Sequence, residues 1–85
     1  MSIFDERAME IVKSFIADEF LAKDEDYNVF IVWKSKVLQN AKYLISTNRN
    51  DGMYYEVTYN GKEDEWYLDA YKKVVNKTIR VHERG

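Results

Sequence analysis

Asp51-Gly-Met-Tyr-Tyr-Glu-Val-Thr-Tyr-Asn-Gly61 is the stretch on which the fold of this chain turns. Met53, Tyr55, Val57 and Tyr59 alternate with Tyr54, Glu56 and Thr58, the two-residue period of a strand with one apolar face and one mixed face. Turn-forming residues bound it on both sides, Asn48-Arg-Asn-Asp-Gly52 before it and Asn60-Gly61 after it. A strand set between two such turns calls for an antiparallel neighbour on either side.

On the C-terminal side the turn length sets the register. A two-residue turn at Asn60-Gly61 would oppose Val57 with Asp64, whereas a four-residue loop, Asn60 to Glu63, opposes Val57 with Trp66, Tyr55 with Leu68 and Met53 with Ala70. The longer loop is preferred because it pairs apolar with apolar. Trp66 to Tyr71 then forms the next strand, with Trp66, Leu68 and Ala70 inward. Residues 70–77 also carry helical spacing, at Ala70, Tyr71, Val74, Val75 and Thr78, so strand and short helix both stay open. Strand through about Lys73 and a final extended piece at Thr78 to His82 is the expectation.

On the N-terminal side, Val29 to Leu38 is rich in β-branched residues. Its alternation places Val29, Ile31 and Trp33 on one face and Phe30, Val32, Lys34 and Lys36 on the other. Gln39-Asn40 offers a turn, and Lys42 to Thr47 returns antiparallel. Before these strands, Ser2-Ile-Phe-Asp5 has the form of a helix-opening capping box. Phe4, Ala8, Ile11, Val12, Phe15, Ile16 and Phe20 follow at spacings of three and four, which predicts one amphipathic helix over about residues 3 to 22. The whole chain, 1–85, reads as one small α+β domain: an N-terminal amphipathic helix packed on one face of an antiparallel sheet of about four strands. Trp33, Tyr55, Val57, Trp66 and Leu68 are the expected core.

Composition narrows the function classes. There is no cysteine, so neither a disulfide nor a thiolate metal site can staple the fold. The N-terminus carries acids, and its apolar residues are spaced out, so neither a secretory signal nor a membrane span is expected. On that basis the Asn76-Lys77-Thr78 sequon reads as chance. The formal net charge of −2 hides an alternation of sign along the chain: residues 1–26 are acidic, 27–50 basic, 51–69 acidic and 70–85 basic. Mutual neutralisation of these blocks in the folded state is the expectation, against a strongly bipolar surface.

Catalytic equipment is sparse. The single histidine, His82, lies close to the end of the sequence, and no Ser-His or Cys-His pair can be built around it. Three glycines scattered at positions 52, 61 and 85 make no phosphate-cradling loop. The loop at Gly52 is not a calcium loop either, since its third position would be Arg49. Asp24, Glu25, Asp26, Glu63, Asp64 and Glu65 sit in two loop-like clusters that read as solvated surface. No catalytic residue, cofactor or metal is expected, and the chain is not expected to be an enzyme.

The tyrosines carry the remaining signal. With Tyr55 and Tyr59 turned to the helix, Tyr54, Tyr67 and Tyr71 share the opposite face, where Lys72, Lys34 and Lys36 are placed as companions. Three readings fit such a face. Tyrosines are good strand formers that cover a sheet and keep their hydroxyls wet. They are also enriched at protein interfaces. Interleaved with lysines they can stack single-stranded nucleic acid, but the acidic total and the interruption by Glu56 and Asp69 weigh against that partner. Homodimerisation through the open face or an edge strand is a further alternative.

Val32-Trp33-Lys-Ser-Lys36, Leu38-Gln39-Asn40, the 51–61 stretch and Tyr67-Leu-Asp-Ala-Tyr-Lys-Lys73, taken in this order, resemble a domain-of-unknown-function family of short proteins encoded by phages and prophages of Gram-positive (Firmicutes) bacteria. The likeness spans roughly residues 29–75, and the ending from Asn76 to Gly85 has no counterpart in it. The resemblance transfers no catalytic residue. It implies a viral origin, the cytoplasm of an infected bacterial host, and an accessory role. Missing catalytic groups and an aromatic outer face then make a non-enzymatic protein that binds a host or phage protein the expectation.

Overall fold

The computed structural model describes residues 2–75, 77, 79 and 80. One helix and four strands follow in the order α1 (Ile3–Glu19), β1 (Val29–Val37), β2 (Asn40–Thr47), β3 (Met53–Asn60) and β4 (Glu65–Lys72). The strands form one antiparallel sheet in the order β1-β2-β3-β4, so neighbours in space are neighbours in sequence. The α+β architecture expected from the sequence is the observed one, with the helix lying across β1, β2 and β3.

Ser2 caps α1, its Oγ accepting from the Asp5 N–H at 3.0 Å and its carbonyl from the Glu6 N–H at 3.1 Å. The helix ends three residues earlier than its apolar spacing suggests. Phe20 is the last residue bonded into it, and Leu21 follows at φ +51°, the left-handed position usually taken by glycine. That reversal lets Ala22 fold back into the core. Ala8, Val12 and Ile16, one residue per turn, are fully buried against Ala41, Tyr43 and Ile45 of β2 and Tyr55 and Val57 of β3. Met53, Tyr59, Trp66 and Leu68 pack around this centre half-buried.

Besides the helix end, two expected details shift. The β1–β2 turn sits at Leu38-Gln39, one residue before the expected position, because Asn40 already pairs with Val37. Asn40 Oδ1 instead accepts from the Gly61 N–H at 3.0 Å, tying the two hairpin tips together. The β3–β4 loop does hold four residues, but they are Gly61 to Asp64, so Val57 faces Leu68, Tyr55 faces Ala70 and Tyr59 faces Trp66. The displacement from the expected register is two residues. With a side-chain period of two it leaves every residue on its expected face. β4 continues to Lys72 as strand, which resolves the ambiguity there. The extended piece expected at Thr78 to His82 falls largely outside the described residues.

The fourth difference is larger. Ile31 pairs with Ile45, but the next pair is Trp33 with Leu44, leaving Val32 as a β-bulge. One extra residue exchanges the faces of everything beyond it. Trp33, expected in the core, is 52 % exposed on the side away from the helix. Lys34 and Lys36, expected on that outer side, pair with Tyr43 and Ala41 and so face the helix.

Two substitutions test this packing. The Gly61 Cα lies so close to Gln39 that an added Cβ would overlap its backbone carbonyl and sit 2.7 Å from its Cβ. Gly61→Ala is therefore expected to cost about 1–3 kcal/mol in urea unfolding. Tyr55 is fully buried, with a hydroxyl that has no hydrogen-bond partner among the described residues. Tyr55→Phe removes that unpaired group and is expected to raise stability by about 1 kcal/mol in the same measurement.

Candidate functional site

The outer face of the sheet, opposite α1, follows from the register. Its first row runs Phe30, Ser46, Tyr54, Tyr71; the second Trp33, Leu44, Glu56, Asp69; the third Ser35, Lys42, Thr58, Tyr67. No element covers it among the described residues. Phe30, Trp33, Tyr67 and Tyr71 are each roughly half exposed. Ser46, small and flanked by Phe30 and Tyr54, is buried, and its Oγ donates to the Met53 carbonyl. Aromatic rings thus frame an acidic centre.

That centre joins two carboxylates. Glu56 on β3 lies directly across from Asp69 on β4, an arrangement of like charges that weakens a strand pair. Among the described residues only Lys42 forms an ion pair with them, its Nζ 3.9 Å from a Glu56 oxygen and itself half exposed. Glu56, followed by Asp69, pushes the Tyr71 hydroxyl pKa upward. The Tyr67 hydroxyl donates to Glu65 Oε1 at 2.6 Å, and that bond raises its pKa. Both phenols stay protonated, so the face offers ring surface, hydroxyl donors and carboxylate acceptors.

Of the residues that the sequence assigns to one contact surface, Tyr54, Tyr67 and Tyr71 do come together there. The three lysines do not. Lys34 and Lys36 are turned away by the bulge, and Lys72 pairs with Met53, whose side chain packs on the core, so it too belongs to the helix side. Phe30, Trp33 and Leu44 join the tyrosines instead. An extra residue in a strand rich in apolar side chains leaves no mark in the alternation, so β1 gave no signal of the exchange.

A second feature lies at the start of the helix. Asp5 is buried, its Oδ2 accepting from Lys34 Nζ at 2.9 Å and its Oδ1 from the Tyr43 hydroxyl at 2.9 Å. The Lys34 bond holds the Asp5 pKa at about 2, outweighing the upward push of burial. Burial first and Asp5 second drive the Tyr43 pKa up to about 12. Beside this node opens a cleft of about 700 Å³ between α1 and the β1–β2 turn, walled by Phe4, Tyr59, Lys36 and Leu38. Phe4 stacks at a tilt on Tyr59 and Trp66, and Lys36 Nζ lies 5.5 Å from the centre of its ring. Every polar atom of the Asp5 node is already paired within the fold, so it serves as an anchor for α1.

At the opposite end Arg49 grips Glu25 through two bonds, 2.7 and 3.1 Å, and Asp51 through a third of 2.6 Å, with its guanidinium over Phe20 and Tyr27. The Arg49 bond lowers the Glu25 pKa. Among the described residues no three acidic or histidine side chains gather into a potential metal site.

The profile of a family of unknown function (DUF6275) matches residues 3–81. The chain belongs to that family. The match takes in the helix and reaches Val81, well beyond the 29–75 span over which the sequence resemblance is seen and into the ending that has no counterpart in it. No curated protein matches the chain, and no solved structure does. No described helix is long and apolar enough to cross a membrane.

The Asp5 anchor has a measurable signature in acid. Because the folded-state pKa is depressed from 3.8 to about 2, its stabilisation is fully present above about pH 4 and is lost as pH falls through 2. Wild type should exceed Asp5→Asn by about 1 kcal/mol at neutral pH, allowing for the exposure of Lys34. That difference should shrink towards zero when thermal unfolding is repeated from pH 4 down to pH 2.

Proposed function

We propose that this protein is a non-enzymatic accessory protein of phages or prophages of Gram-positive bacteria, working in the cytoplasm of the infected host by binding a host or phage protein. The observation that carries this reading is the outer face, covered by no element among the described residues, on which the rings of Phe30, Trp33, Tyr54, Tyr67 and Tyr71 share one side of the sheet with Leu44. A sheet with one helical layer needs only one apolar face to fold. Rings gathered on the other face, Trp33 above all, are what a protein interface is rich in. The phage origin and the host cytoplasm rest on the sequence resemblance, and occupation of a host protein's surface is a common way for small phage proteins without catalytic groups to act.

Nucleic acid is the weaker alternative on this geometry. Lys34, Lys36 and Lys72 lie on the helix side, leaving Lys42 facing Glu56, Asp69 and Glu65 on the aromatic face. A phosphate backbone would meet more negative charge than positive there.

The test is capture from lysate of a phage-infected host. Tyr54→Ala, Tyr67→Ala and Tyr71→Ala combined should abolish recovery of the partner while leaving the circular dichroism spectrum unchanged. Unaltered recovery would move the contact surface elsewhere. Binding to a single-stranded oligonucleotide at low salt, followed by fluorescence anisotropy, would favour the alternative.

A further inference from the structure

We propose that the partner enters this face through an arginine, its guanidinium seated over the Glu56–Asp69 pair and flanked by the rings of Tyr67 and Tyr71. The inference rests on the reading that the outer face is the contact surface, and it specifies the chemistry that the surface takes.

Three features of the sheet lead to it. Tyr67, Asp69 and Tyr71 occupy alternate positions of β4 and so stand in one column, the Cα atoms of the two tyrosines about 13 Å apart with Asp69 between them. A guanidinium between them can lie within cation–π reach of a ring while its fork meets the acid below. Glu56, directly across from Asp69, adds a second carboxylate at the same level, so the site offers acceptors for more than one edge of the planar group. Finally, the fold gains little from this pair: opposed acids weaken β3–β4, and Lys42, at 3.9 Å from Glu56 and half exposed, offsets them only in part. A cation supplied from outside turns the repulsion into two attractions.

Other occupants fit less well. A second copy placed face to face would bring two Glu56–Asp69 pairs into one dehydrated interface, where like charges are costly. The chain's own basic residues beyond β4, Lys73, Lys77 and Arg80, are a cationic segment that a neighbouring copy could offer, and the experiment separates this case.

The measurement is a two-dimensional NMR titration of the full chain with the peptide acetyl-Gly-Arg-Gly-Arg-Gly-amide, against a peptide carrying glutamate in place of arginine. The expected result is movement of the Tyr67 and Tyr71 ring signals with the arginine peptide alone. The double variant Glu56→Gln/Asp69→Asn should weaken that binding about tenfold. Asp24→Asn/Asp26→Asn, which removes the same charge from a loop, should leave it unchanged. The double variant should melt no lower than wild type, since it relieves a repulsion, so loss of binding will not be loss of fold. Equal weakening in both double variants, shifts confined to other surfaces, or no shifts would each overturn the proposal. So would concentration-dependent self-association, seen by light scattering, that disappears on truncation after Lys72. Partner capture then separates the two levels: if the tyrosine variants lose the partner and Glu56→Gln/Asp69→Asn keeps it, the arginine is wrong and the surface stands. If both keep the partner, the surface itself is wrong.

Discussion

One unpaired residue, Val32, determines what each side of β1 presents. Buried near the helix start, the Asp5 carboxylate needs a cation and hydrogen-bond donors, since an uncompensated charge in that position would cost several kcal/mol. Without the bulge the side chain opposite Tyr43 would be Trp33, and Lys34 would point to solvent. With it, Lys34 reaches Asp5 at 2.9 Å and α1 is fixed at its N-terminus. The counterpart of that arrangement is a tryptophan left half in water, forgoing about 2 kcal/mol of burial. The same kink that secures the helix therefore also enriches the open face.

Charge follows the same division of labour. Lys34, Lys42 and Arg49 all come from the basic second block of the sequence, and their partners Asp5, Glu25, Asp51 and Glu56 come from the acidic blocks on either side of it. Because β2 lies between β1 and β3, and the helix exit abuts the β2–β3 loop, the alternation of sign along the chain becomes neutralisation in space. Asp69, set directly across from Glu56 and without an ion pair among the described residues, is the departure from this pattern. The two acids stand together where the fold offers them little, amid rings that it does not need to cover.

Much of this architecture was legible in the sequence, and the reasons differ by element. Ser2 and the spacing of Ala8, Val12 and Ile16 identified α1 because capping and period are local properties. In β3 and β4 the faces were right although the pairing was displaced by two residues, since a shift of two preserves direction. The helix end was misjudged because Leu21 adopts a conformation that its side chain does not advertise. The first turn was misplaced because Asn40, a turn former by habit, is occupied in bonding to Gly61. The β1 exchange was invisible for a deeper reason: a bulge is chosen by what the strand must meet across the sheet and on the helix, and Val29 to Trp33 is apolar on either reading. Three tyrosines of the candidate site were thus found from pattern, while Trp33 was assigned to the interior and three lysines to the wrong side.

The order β1-β2-β3-β4 has a kinetic meaning as well. Every ladder joins segments separated by a single short connection, and the helix precedes the strand it first meets, so no chain ends far apart must find each other before structure is gained. Each hairpin can close on the microsecond scale and template the next. Assembly of the native state can then keep pace with synthesis, strand by strand as the polypeptide emerges, and the half-made sheet spends little time with its ladders open to other chains.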